Sequence, residues 1–244
     1  MNHIINSSKE TIRINKFLTK YGYCSRRHGD ELIKKGLVYI NDNIATLGSM
    51  VSENDKVYIK ESSHQKEIKP KVSYTYIALN KPLGITCTTD KRDKSNIIDF
   101  VNYKKRIFPI GRLDKNSHGL ILLTNDGDIV NKILRSENNH EKEYIVKVNK
   151  PLTSDFINSM KSGVKILNQV TKPCKVTKIN EFSFKIILTQ GINRQIRRMC
   201  ESLNYRVVYL KRIRILNIKL GNLEVGKYRH LTNKELSELF TLIN

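Results

Sequence analysis

The chain has 244 residues, 44 Lys and Arg against 23 Asp and Glu, and a formal net charge of +21. With 39% hydrophobic residues it can bury one large core or two small ones, which excludes a disordered polyelectrolyte. There is no run of about eighteen apolar residues to cross a bilayer, the start MNHIINSSKETIRINKF is too polar for a signal peptide, and Cys24, Cys87, Cys174 and Cys200 are too far apart for a zinc or redox pair; a reducing, cytoplasmic setting is expected.

Residues 12–60 read as a compact helical and stranded module. Ile14, Phe17, Leu18 and Tyr21 fall on one helical face, and Gly22 ends that helix. Ser25 is placed to cap a second helix, Arg26 to Lys35, carrying Leu32 and Ile33 and closed by Gly36. LVYI (37–40) and VYIK (57–60) read as strands, with a turn at Asn41-Asp42-Asn43. Residues 61–73, ESSHQKEIKPKVS, hold two isolated apolar residues and a proline, which predicts a linker.

From residue 74 to 244 the pattern turns strand-rich. YTYIALN (74–80), LILLT (120–124), EYIVKV (143–148), FSFKIILT (182–189), YRVVYL (205–210) and IRILNIKL (213–220) read as strands. Between them, Asn125 or Asp126 caps a helix through Leu134, and Thr153 caps one bearing Phe156, Ile157 and Met160 that Gly163 closes. Residues 193–203 read as a helix, and Thr232-x-x-Glu235 is a capping box for a last helix with Leu236, Leu239 and Phe240 on one face. Many strands with few strand–helix–strand crossovers predict an α+β fold with a mixed, mostly antiparallel central sheet flanked by helices.

The charge is unevenly spread. Residues 71–244 carry 32 Lys and Arg against 15 Asp and Glu, residues 1–70 only 12 against 8. Such a surplus calls for a polyanion, best a nucleic acid, whose condensed counterions are released on binding; a solvated lysine-rich surface in a chain rich in Lys, Asn and Ile accounts for part of it. No strongly amphipathic basic helix stands apart from the predicted core to lie on a membrane.

Phosphate loops, dinucleotide fingerprints, nucleophile elbows and metal-spaced histidines are all absent from the sequence, so no metal or cofactor is expected. Three segments remain. Ile110 to Gly119, IGRLDKNSHG, puts Asp114 and Arg112 in a glycine-bracketed loop before a buried strand, or is a turn whose aspartate caps local N–H groups. Gln190 to Met199, QGINRQIRRM, starts a helix with Arg194, Arg197 and Arg198, where the macrodipole favours a nearby anion; a plain basic patch is the competing reading. Tyr144, at the start of a strand after Lys142-Glu143, suits a half-buried packing ring as well as a substrate contact.

Taken in this order, GRLDKNSHGL, KEY and GINRQIRRM resemble the motifs of RNA pseudouridine synthases, and INKFLTKYGYCSRRHGDELIKKGLVYIN resembles an S4 RNA-binding domain. NNHEKEYIV, KPCKV and TQGINRQIRRMCESLNYRV are most similar to the F-type large-subunit synthases of the bacterial ribosomal RNA branch. The resemblance implies an S4 domain over 1–60, a linker over 61–73 and a catalytic domain over 74–244, whose cofactor-free reaction turns uridine into pseudouridine in 23S ribosomal RNA and, in addition, in the anticodon loop of tyrosine transfer RNA. It implies Asp114 as the catalytic carboxylate, Arg197 as its partner and Tyr144 against the uracil. Arg112, Arg194 and Arg198, with Arg26, Arg27, Lys34 and Lys35 of the S4 helices, are the expected RNA contacts. A monomer without membrane attachment is expected. The rival class is a non-catalytic S4 protein that binds ribosomal RNA during assembly, and a weaker one a nonspecific basic nucleoid-type protein; neither needs Asp114.

Overall fold

The computed structural model describes residues 11–52, 54–61, 64–68, 73–135 and 139–244. It divides into two compact units, the first ending at Tyr74 and the second running from Thr75 to Asn244.

In the first unit β1 (Ile12–Arg13) leads into α1 (Ile14–Lys20) and α2 (Arg26–Lys34), followed by β2 (Val38–Ile40), β3 (Asn43–Ile44), β4 (Met50–Val51), β5 (Val57–Glu61) and β6 (His64–Glu67). Ser25 caps α2 by accepting from the His28 N–H, the cap that its side chain predicts. Ile14, Phe17 and Leu18 of α1 close a core with Leu32, Ile33, Val38, Val57 and Ile59. The four-stranded sheet runs β3-β2-β5-β6. Its last strand corrects the expected linker. Residues 64–67 pair with β5, the Ile68 N–H donates to the Val57 carbonyl at 2.8 Å, and Ile68 is buried in the core. A single apolar residue after a polar strand sufficed, because the open edge of β5 supplied the hydrogen bonds. Residues 62–63 and 69–72 of that segment, and the polar start 1–10, lie outside the described residues.

The second unit contains, in order, β7 (Tyr76–Lys81), α3 (Ile97–Val101), β8 (Phe108–Ile110), β9 (His118–Thr124), α4 (Asp128–Leu134), β10 (Lys142–Val148), α5 (Ser154–Ser162), β11 (Lys165–Ile166), β12 (Gln169–Val170), β13 (Lys175–Lys178), β14 (Ser183–Leu188), α6 (Gln195–Ser202), β15 (Val207–Ile215), β16 (Ile218–Lys219), β17 (Tyr228–His230) and α7 (Asn233–Ile243). Its main sheet runs β13-β14-β10-β15-β9-β7-β17, with β8 added on β9 and β16 on β15. Pairing is antiparallel except between β15 and β9. The two strands expected at 205–210 and 213–220 are instead one, Val207–Ile215, with a tight turn at Leu216 (φ 51) before β16. The charged pair Lys211-Arg212, between those two ranges, lies inside the sheet.

Burial explains the sequence pattern. Ile77 and Leu79 of β7, with Ile121 and Leu123 of β9, pack on one face; Ala78, Leu120 and Leu122 pack on the other with α4 and α7 residues Ile129, Ile133, Leu239 and Ile243. Strands covered on both faces read as continuous apolar runs. In β14, by contrast, Phe184, Ile186 and Leu188 are buried while the residues between them are half-buried, as expected for a sheet with one covered face. α5 and α6 cover that face through Phe156, Met160, Ile196 and Met199.

Candidate active site

The loop between β8 and β9, residues 111–117, is tied down along most of its main chain. The Leu113 N–H donates to Cys87 Sγ at 3.3 Å. The Asp114 carbonyl accepts from the Ser117 N–H at 3.0 Å, and the Lys115 carbonyl from the Gly84 N–H at 2.9 Å. Arg212 Nη1 donates to the Arg112 carbonyl at 3.4 Å. Arg197 Nη2 donates to the Asn116 carbonyl at 2.7 Å and to Ser117 Oγ at 3.2 Å, while its Nη1 reaches the Val207 carbonyl at 3.3 Å. Gly119 has φ +104, and a Cβ there would collide with the Arg212 carbonyl oxygen, so only glycine lets β9 pass β15 at this point.

A cavity of about 640 Å³ opens beside this loop, walled also by β10, β15 and residues 190–197. That volume suits a small ligand or a single flipped nucleotide. Among the described residues Asp114 is the one carboxylate in the wall, against Arg112, Lys115, Lys142, Arg194, Arg197 and Arg212. Asp114 Oδ2 lies 3.9 Å from Arg197 Nε, an ion contact without a hydrogen bond, and that Nε has no hydrogen-bond partner among the described residues. Burial, and next the charge of Arg194, pull the Arg197 guanidinium below its ordinary range, while Asp114 opposes them.

Tyr144 is half-buried in the cavity wall, where a register shift between Glu143 and Tyr144 interrupts the β10–β15 ladder and sets Tyr144 opposite Arg212. The preceding Glu143 is clamped by Arg214 Nε at 2.7 Å and Lys185 Nζ at 3.1 Å, and Arg214 Nη2 holds Glu141 at 2.8 Å. Burial alone would raise the Glu143 carboxyl; Arg214 and Lys185 outweigh it and hold it low. These ion pairs fasten β10 to both neighbouring strands beside the ring.

Asp114, Arg112, Tyr144, Arg194 and Arg197 thus meet around one cavity. Arg194 caps α6 with a left-handed backbone (φ 51), so the helix starts at Gln195 rather than at 193. Arg198 is not part of the wall. Its Nε donates to the Asn193 carbonyl at 3.0 Å and its Nη2 to Asn193 Oδ1 at 3.3 Å, which orders the turn into α6. Arg26, Arg27, Lys34 and Lys35 are exposed on α2 and its C-cap in the first unit.

Three groups escaped the sequence reading. Lys81 is fully buried; its Nζ donates to the Pro82 and Ile85 carbonyls at 2.8 and 2.7 Å. Burial lowers it to about 8, with Cys87 and Asp114 pulling it back up. The signal was a lysine closing an apolar strand just before Pro82. Cys87 lies in the wall with its thiol pushed up by burial. Arg212, 3% exposed, left no signal, because a charged residue inside a strand reads as solvent-facing.

Residues 75–202 match the model of the RNA pseudouridylate synthase family, and residues 12–57 that of the S4 domain. The chain belongs to the RNA pseudouridylate synthase family. It is 52% identical over 233 residues, 96% of this chain and 80% of the relative, to the dual-specificity RNA pseudouridine synthase RluF of Escherichia coli. The ribosomal large subunit pseudouridine synthase B of Bacillus subtilis is 33% identical, with 94% of this chain and 96% of that one aligned. A crystal structure of a pseudouridylate synthase superposes with a TM-score of 0.68 at 28% identity, covering 93% of this chain and 99% of its own. The chain is therefore an enzyme, an isomerase that forms pseudouridine in RNA, built as an S4 domain followed by a synthase fold. No helix among the described residues is long and apolar enough to cross a membrane.

Proposed function

We propose that this synthase isomerises one uridine of large-subunit 23S ribosomal RNA and, in addition, a uridine in the anticodon loop of tyrosine transfer RNA, as a cytoplasmic monomer that needs no metal or cofactor. The 52% identity to a relative whose name is dual-specificity supports two substrates. The reaction itself rests on one observation: among the described residues a single carboxylate, Asp114, lies in a cationic cavity, on a loop whose Arg112, Asp114, Lys115 and Asn116 carbonyls are all hydrogen-bonded.

The uridine first leaves its stack, at a cost of a few kcal/mol that is smaller in a loop than in a duplex. Asp114 starts the reaction, by attack at C1′ or as a base on the sugar. The N1–C1′ bond breaks, the uracil turns within the cavity, C5 bonds to C1′, the C5 proton leaves and N1 gains one. Arg197, its Nε 3.9 Å from Asp114 Oδ2, orients the carboxylate. Tyr144 lies against the uracil and helps remove the C5 proton, its hydroxyl passing its own proton on as it takes that one up. Arg112, Arg194 and Lys115, exposed at the rim, meet the backbone phosphates. Arg198 serves RNA through the turn that it orders, and Arg26, Arg27, Lys34 and Lys35 add phosphate contacts from the S4 domain.

The test is tritium release from C5-labelled uridine in a 23S fragment and in tyrosine transfer RNA, with the product mapped. Release from one position in each RNA is expected. Binding without release, or conversion at many positions, contradicts the proposal.

A further inference from the structure

The six cations of the cavity wall fall into two groups: Arg112, Lys115 and Arg194 are exposed, and Lys142, Arg197 and Arg212 are partly or wholly buried. The first three stand at the rim, where a backbone phosphate can reach them. Arg212 is 3% exposed, on a strand in the middle of the sheet. A phosphodiester, tethered on both sides, does not reach such a place; a flipped base does. Arg212 Nε donates to the Leu120 carbonyl at 2.7 Å and Nη1 to the Arg112 carbonyl at 3.4 Å, which fixes the guanidinium plane. Its Nη2, with two N–H groups, has no partner among the described residues. Lys81, Lys142 and Cys87 lie close enough to feel its charge. A buried guanidinium among lysines, with an unused donor, is expensive unless an acceptor carrying negative charge arrives.

We propose that Arg212 is a further catalytic residue of this isomerase: its Nη2 hydrogen-bonds one carbonyl oxygen of the flipped uracil and stabilises the uracil anion. The inference rests on the isomerase reading. When the N1–C1′ bond breaks, its electron pair leaves on N1 and spreads onto the two carbonyl oxygens. The negative charge is used up as C5 bonds to C1′, returns as the C5 proton departs and ends when N1 is protonated, so that the product is an isomer of the substrate and nothing is oxidised or reduced. A fixed donor at a carbonyl oxygen is stronger toward the anion than toward neutral uracil, which is the condition for accelerating the step. Both Nη atoms of Arg197 are bonded, to the Asn116 and Val207 carbonyls and Ser117, and its Nε faces Asp114 Oδ2 at 3.9 Å, which leaves this task to Arg212.

The experiment crosses the enzyme with single atoms of the substrate. An RNA hairpin with one target uridine is made with uridine, 2-thiouridine or 4-thiouridine at that position, since a thiocarbonyl is a poor acceptor. Wild type, Arg212→Met and Arg212→Lys are compared in single-turnover rate and in hairpin affinity. With uridine, Arg212→Met is expected to slow conversion by about 10²–10³-fold, the usual loss for one oxyanion donor, at unchanged affinity. Sulfur at the contacted oxygen slows wild type comparably and slows Arg212→Met no further, whereas sulfur at the other oxygen slows both alike. Should Arg212→Met not fold, Arg212→Lys, which keeps the charge and loses the fork, is read in the same cycle. Equal slowing of wild type and variant by both sulfurs, or conversion by a variant at the wild-type rate, overturns the role of Arg212. Failure of wild type to convert the uridine hairpin overturns the isomerase reading instead.

Discussion

Arg26, Arg27, Lys34 and Lys35 of the S4 unit and Lys81, Arg197 and Arg212 of the synthase unit are the same residue types in opposite surroundings. The first four are exposed along one helix and its cap. The other three are wholly or largely buried, and donate to main-chain carbonyls of the segments that shape the cavity: Pro82 and Ile85, Asn116 and Val207, Leu120 and Arg112. A solvated cation adds affinity through counterion release and carries little shape information. A buried cation with fixed acceptors determines where loops lie and which charge the site accepts. Net charge alone therefore points to a polyanion, and burial separates the cations that shape the cavity from those that are solvated.

The sharpest break comes at Asp114. Asp114→Asn keeps the shape of the loop and removes the charge, so turnover falls by about 10⁴-fold or more while folding and RNA affinity stay near wild type. Turnover within tenfold of wild type in a tritium-release assay would sink Asp114 as the essential group. Next in size is Arg197→Met, which loses about 10²–10³-fold in rate by unfixing the carboxylate and also lowers the melting temperature, because the Asn116 and Val207 carbonyls lose their donor. Combined with Asp114→Asn it adds little further loss of rate; independent, additive losses would count against the Asp114–Arg197 coupling.

Tyr144 separates ring from hydroxyl. Tyr144→Phe keeps affinity and loses roughly 10²–10⁴-fold in rate if the hydroxyl takes the C5 proton. Tyr144→Leu additionally loosens the base, by about 1–3 kcal/mol. A Phe variant with wild-type turnover makes the ring a packing residue only.

The smallest effect is on stability. Because burial holds Lys81 at about 8 against 10.5 for an ordinary lysine, the unfolded chain binds more protons between those values. Wild type therefore gains stability from pH 8 to 10.5 relative to Lys81→Met, and the difference is flat below pH 8, where the lysine is charged in both states. Parallel pH–stability curves for the two proteins would show that Lys81 is not held low.

Much of this site was legible in the chain. The caps Ser25, Thr153 and Thr232 act where their side chains predict. Asp114, Tyr144 and Arg197, the expected catalytic residues of three separate segments, meet at one cavity. What stayed hidden depends on tertiary partners. α3 is five residues long and is started by Asn96 within a turn-rich stretch, and β17 is a three-residue edge strand with no apolar alternation. Ile68 joins the first core only because β5 offers a free edge. Lys81 and Arg212 are buried because carbonyls from distant segments converge on them, and no local pattern announces a carbonyl.

One measurement tests the division between exposed and buried charge most directly. Single-turnover rate and equilibrium affinity, each at several salt concentrations, are determined on one RNA for wild type, for Asp114→Asn, and for a variant with Arg26, Arg27, Lys34 and Lys35 all changed to glutamine. The division predicts that Asp114→Asn loses rate at unchanged affinity and salt slope. It predicts that the four-residue variant keeps its saturated rate while its affinity falls and its salt slope shrinks by about 0.7–0.9 for each phosphate that is no longer neutralised. A four-residue variant with unaltered affinity, or with a saturated rate as low as that of Asp114→Asn, would contradict it.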